Sequence, residues 1–326
     1  MSAGQPESAP VYHDTRDLTP FRDTHIRTPV HTLAEGVGEL LSTVLGNRDR
    51  GLLDVDGEVP RLKRLTAKPA KAVYDAIFTN AQPDRLITLA REYPGWAGLC
   101  YIMAGLLAYR NGGHLRASEL LQRGLSIRND DDANSFAGAY LTRVLTVVEV
   151  AERVEVPVLF SEESVFLALS HSLREIGQTA AALEALGSLP PSLPTALARC
   201  SLLASLGRDA EVAAYTQGLL NADDLSAALL LVRARALRKL GEYGAARVAL
   251  QEVLRRRKTS AALRNDALTD RALLVLIDNG KRTLNPRDWQ RRKPAELESV
   301  DAVVAIRKDD EVRKLWEQDW KQLGGD

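Results

Sequence analysis

Five histidines, two cysteines and a pair of spaced aspartates are the residues of this 326-residue sequence that chemistry would draw on first. His13, His25 and His31 lie near Asp14 and Asp23, without the fixed spacing that a zinc or other transition-metal site needs. His114 reads as a turn residue, and His171 falls in a helical pattern. Cys100 and Cys200 each sit inside an apolar helical stretch with no Cys or His at ligand spacing, which reads as small buried residues in a reducing compartment. Asp54, Asp56 and Gly57 resemble part of a calcium loop. With Gly57 at the sharp turn, however, Leu52 takes the first ligand position and Lys63 the twelfth, so a plain turn is expected. No glycine-rich phosphate loop, nucleophile elbow, zinc-binding helix motif or paired-cysteine site is present, and neither catalysis nor a cofactor nor a metal is expected.

Charge offers a second chemistry. Lys plus Arg and Asp plus Glu each number 43, so no overall field draws the chain to nucleic acid or to a membrane surface. Locally, Arg255, Arg256, Arg257 and Lys258 form one basic run. Lys281 to Lys293 form another, which includes Trp289 and ends in Arg291, Arg292 and Lys293. Basic side chains with an interleaved aromatic suit phosphate contact and base stacking, which makes RNA or DNA an alternative partner. The same clusters suit an acidic protein surface, or simply solvated helix ends favoured by the helix dipole.

The elements that must position these residues are helical. Good helix formers dominate and aromatics are only 5%, so strand-favouring residues are thin. Residues 1–30 are rich in Pro, Ser, Thr and Asp without apolar period and read as a flexible arm. Residues 31–85 read as a helical region with an irregular insert, where Asp56-Gly57 marks a turn or small hairpin weakened by Pro60. No stretch reaches the roughly 18 apolar residues of a membrane span, and Met1 to Asp14 lacks the apolar core of a secretory signal. A cytoplasmic protein without an integral membrane segment is expected.

Internal repetition organises the next segment. Ala234, Leu237, Gly241, Tyr243, Ala246, Leu250 and Val253 fall at offsets 0, 3, 7, 9, 12, 16 and 19. The same frame fits three more sets, anchored at Gly105, Ser170 and Cys200, with turn glycines Gly112, Gly177 and Gly207. Offsets 0 and 3 share a helix face, the glycine permits a left-handed turn, and the small residue at 12 lets two helices approach closely. The gap between Gly112 and Gly177 leaves room for one degenerate repeat around residues 133–155.

On these residues the sequence resembles the tetratricopeptide repeat family over residues 86–257; a generic stack of helical hairpins is the alternative. The resemblance implies an all-α fold: a right-handed solenoid of antiparallel helical hairpins with an irregular N-terminal arm and a C-terminal capping helix. It also implies a groove lined by the first helix of each hairpin. In this numbering the candidate partner-binding residues are Tyr109, Arg110, His171, Arg174, Arg235, Arg238 and Lys239. Such a groove, basic toward its rim, would take an acidic or carboxylate-bearing protein segment. The Asn-and-Lys carboxylate clamp of chaperone-binding members is not reproduced.

Residues 258–326 break the frame. Residues 263–278 read as a helix, with Asn279-Gly280 in the turn position, and residues 296–323 as another helix. In that last helix Trp316, Trp320 and Leu323 form a stripe that either caps the array or docks into a partner, a second copy included. The expected function is therefore a non-enzymatic scaffold or adaptor. The alternatives are a structural subunit of a larger assembly and a nucleic-acid-binding regulator.

Overall fold

In the computed structural model, residues 54–56, 58–63, 67–79 and 83–283 are described, the last six as backbone. The arm, the basic residues Arg291, Arg292 and Lys293, and the stripe of Trp316, Trp320 and Leu323 lie outside the described residues. The described chain is mostly helical and divides into two compact units, one within Asp23–Leu202 and one within Leu203–Asp326.

Among the described residues the first unit holds a two-residue strand, β1 (Asp54–Val55), then α1 (Lys68–Phe78), α2 (Pro83–Glu92), α3 (Ala97–Arg110) and α4 (His114–Leu125). α3 is apolar almost all round, and twelve of its residues are buried. Its start is held by Asn129, whose side chain accepts the Leu99 N–H at 2.8 Å, supplying the acceptor that a helix N-terminus lacks. α3 and α4 pack side by side across Gly105 and Gly124. A Cβ on Gly124 would come within 2.8 Å of the Ile102 nitrogen, so only glycine permits that approach.

Beyond a short α5 (Asp131–Phe136) and a π-helical turn, the chain departs from the all-helical expectation. Instead of a degenerate repeat at 133–155 there is an antiparallel hairpin of β2 (Val144–Ala151) and β3 (Val154–Leu159), extended by β1 into a small sheet of order β1-β2-β3. Five β-branched residues between positions 144 and 150 favour the pleated chain over a helix. Inward residues alternate along β2 until Val150, where the register slips by one and two successive residues, Val150 and Ala151, turn inward. This is a β-bulge immediately after Glu149. The two-residue turn carries Arg153 at φ 63°, a conformation rare outside glycine. Pro157 is tolerated because β3 is an edge strand among the described residues.

The chain then re-enters helix as α6 (Glu162–Glu175) and α7 (Thr179–Ala185), which pack on each other. Ser161 starts α6 through a capping box with Ser164. α8 (Leu193–Ser205) follows. The second unit holds α9 (Asp209–Tyr215), α10 (Asp224–Lys239), α11 (Tyr243–Arg255) and α12 (Ala261–Thr283), with α11 and α12 both packed on α10. Asp223 and Ser226 cap α10 as Ser161 and Ser164 cap α6. α12 runs through Asn279 and Gly280, so the turn expected there is absent.

The four turn glycines of the repeat frame share one geometry. Gly112, Gly177, Gly207 and Gly241 all take φ between 72° and 82°. At each, the following N–H reaches back five residues, to the carbonyls of Ala108, Leu173, Leu203 and Leu237 at 2.8 to 2.9 Å. That bond and the one made by the glycine N–H itself end each first helix in the same way, satisfying its last carbonyls. The residues at offset 12, Ala117, Ala182, Val212 and Ala246, are all 0% exposed. Cys100 and Cys200 are buried and free, and burial pushes both thiols up to about 12.

Candidate functional site

Three of the residues expected to line a groove converge in the first unit. Tyr109 is in the last turn of α3, and His171 and Arg174 are in the last two turns of α6. What they meet is the chain's own β2. The Tyr109 hydroxyl accepts the backbone N–H of Glu149 at 3.2 Å and lies 2.6 Å from His171 Nδ1. Arg174 donates to the Glu149 carboxylate at 3.1 Å and to Glu175 at 3.0 Å. Helix-face side chains thus hold both the backbone and the carboxylate of one residue of an extended strand.

Because the Tyr109 oxygen already accepts from Glu149, its own proton is available to His171 Nδ1, which puts the imidazole proton on Nε2. Nε2 is buried and lies 3.3 Å from the Glu175 carboxylate. The His114 ring, its Nδ1 also buried without a hydrogen-bond partner, lies 5.2 Å from the His171 ring.

Burial first, and the Arg174 charge second, bring the His171 pKa down to about 4; His114 adds to the depression and Glu175 opposes it. Burial also raises the Tyr109 phenol above its ordinary value. Burial pushes Glu175 upward, but Arg174, His171 and His114 more than reverse that, leaving its carboxyl below the ordinary range. Near neutrality the cluster therefore contains neutral His171, a phenol and two carboxylates bridged by one guanidinium. The side chain of His171 is 8% exposed and Tyr109 is 7% exposed, so both are turned inward against the hairpin. Among the described residues no group of three or more His, Cys, Asp or Glu side chains is placed to hold a metal ion.

The remaining expected residues are distributed as follows. Arg110 is exposed at the end of α3. In the second unit Arg235 pairs with Asp270 at 2.7 Å and with Asp266 at 3.7 Å, both on α12, and Lys239 lies 3.8 Å from Asp209. Arg238 is half-buried, with its Nε buried and without a hydrogen-bond partner. Of the basic run at the end of α11, Arg255 pairs with Glu252 and Arg256 with Asp224, which leaves Arg257 and Lys258 as its exposed, unmatched charges among the described residues.

Glu149, the residue on which the first-unit cluster turns, was not among the sequence candidates. The signal for it was the alternating β-branched run around it, which marks a strand whose register exposes a carboxylate. No family model, no curated protein and no solved structure matches this chain. Among the described residues no helix is long and apolar enough to cross a membrane.

Proposed function

We propose that this chain is a non-enzymatic, cytoplasmic helical-hairpin scaffold of the tetratricopeptide-like kind, binding an acidic or carboxylate-bearing segment of a partner protein along the first helices of its hairpins. The observation that carries this reading is the grip of Tyr109, His171 and Arg174 on Glu149 of an extended strand. These positions on α3 and α6 hold a carboxylate and a backbone N–H of the chain's own strand, which supports a like role toward a partner. Charge-assisted bonds from guanidinium to carboxylate supply affinity, and a backbone N–H accepted by a side chain supplies orientation.

The hairpin is not an easily displaced occupant. Val144, Val148 and Val156 are fully buried, so β2–β3 belongs to the core, and the partner is assigned to the second-unit positions Arg235, Arg238 and Lys239. Cross-linking in cells followed by purification of the full chain tests the assignment. Changing Arg235, Arg238 and Lys239 together to Glu is expected to abolish recovery of the cross-linked partners. Unchanged recovery refutes the groove.

A further inference from the structure

Arg174, Arg238 and Tyr109 occupy one and the same place in the repeat frame. Each lies three residues before a left-handed glycine, and each gives its carbonyl to that glycine's N–H, at 2.9, 3.0 and 2.9 Å respectively. The side chains therefore leave the last turn of α6, α10 and α3 at the same helical phase, on the same face relative to the second helix of each hairpin. In the first unit that place does one job. Tyr109 holds the Glu149 backbone and Arg174 holds its carboxylate.

In the second unit the cations flanking this place are already matched. Arg235 is paired with Asp270 and Asp266, and Lys239 with Asp209. Arg238 differs from both, since no acid partners it among the described residues and its Nε is buried without an acceptor. A guanidinium N–H removed from water and unbonded is costly, and a carboxylate is the group whose two oxygens match its fork.

Resting on the scaffold reading above, we propose that Arg238 is the second-unit counterpart of Arg174 and takes the carboxylate of an extended, strand-forming partner segment. In such a segment β-branched residues flank a glutamate, as Val147-Val148-Glu149-Val150 do in this chain. Arg238 anchors the glutamate, and the paired Arg235 and Lys239 give a rim whose charge is partly neutralised by α9 and α12. The site thereby selects one placed carboxylate over a diffuse acidic tract.

The test is fluorescence anisotropy on the full chain with a labelled peptide copying residues 144–159 and a second peptide carrying Glu149→Gln. The first peptide is expected to bind saturably. Arg238→Gln, with an unchanged far-UV spectrum and melting temperature, should weaken it at least tenfold, and Arg238→Lys should recover part of that loss. The glutamine peptide should bind the unaltered chain as weakly as the first peptide binds Arg238→Gln, and the two changes combined should cost little more than either alone.

Absence of saturable binding, or equal affinity with and without Arg238, overturns the proposal. So does loss of binding in Arg174→Gln but not in Arg238→Gln, which would mean that the peptide exchanges with β2. If the peptide fails while cross-linked partner recovery still depends on Arg235, Arg238 and Lys239, this inference falls and the scaffold reading stands. If both fail, both fall.

Discussion

Acid should loosen the first unit through His171 before it touches the carboxylates, and the size of the effect follows from the site. The side chain is 8% exposed, and burial together with Arg174 takes its folded pKa to about 4, against 6.5 for the ordinary imidazole. A depressed folded pKa means that the unfolded chain takes up the proton first. The stability associated with neutral His171 is therefore complete above about pH 6.5 and is withdrawn as the pH falls toward 4.

At about 1.36 kcal/mol per pKa unit, the whole window is worth about 3 kcal/mol, of which about 2 kcal/mol is lost by about pH 5. Glu175, held below its ordinary 4.5, begins to cost stability only at lower pH, so measurement down to about pH 5 isolates the imidazole. Urea denaturation of the chain and of His171→Gln, followed by far-UV circular dichroism from about pH 8 to about pH 5, reads the difference directly. The unaltered chain should lose about 2 kcal/mol more than the glutamine variant over that range, in the transition assigned to the first unit. Parallel pH profiles would show that His171 is not held neutral by its surroundings and would refute the argument.

Three further outcomes test the framework around the site. Gly177→Ala forces a Cβ into a φ of 82° with nothing within 4 Å to clash, so the cost is conformational alone, about 1–2 kcal/mol, read as a lowered melting temperature. Gly124→Ala is a steric case, because its Cβ would lie 2.8 Å from the Ile102 nitrogen and 2.9 Å from the Gly98 carbonyl oxygen. It should cost about 2–3 kcal/mol in urea denaturation by prising α3 from α4. Arg153→Gly relieves the left-handed residue of the β2–β3 turn, whose ion pair to Glu152 is exposed, and should raise stability by about 0.5–1 kcal/mol in the same assay.

The turns were legible because a glycine at fixed distance from a 3.6-residue apolar stripe is a local signal, and four instances reinforced one another. The hairpin at 144–159 was not, although its β-branched run was in plain view. The spacing between Gly112 and Gly177 is close to two repeats, and that longer-range regularity outweighed the local preference for strand. At Asn279-Gly280 the error ran the other way. Leu273, Leu274 and Ile277 are buried in α12, and tertiary packing of the helix overrides the modest cost of one glycine within it. As for the site, the repeat frame placed Tyr109, His171 and Arg174 on one face. Nothing in the frame points to Glu149, which reaches them from 40 residues after Tyr109 and 25 before Arg174. Such a pairing of helix face with strand is fixed only by the folded topology.

The direction of one N–H has a consequence for how copies of this chain behave when crowded. Glu149 turns its N–H away from β3 and toward Tyr109, so its register partner Glu155 turns outward on the far side, and Pro157, two residues on, does the same. Proline has no hydrogen to offer there. Where β2 runs on past the two-residue β1 its side is sealed by a phenol, and among the described residues the β3 margin has a missing tooth at its centre. A valine-rich ribbon that would otherwise recruit strands from neighbouring molecules is thereby denied a continuous row of donors, and growth of intermolecular β-structure is blunted at both margins.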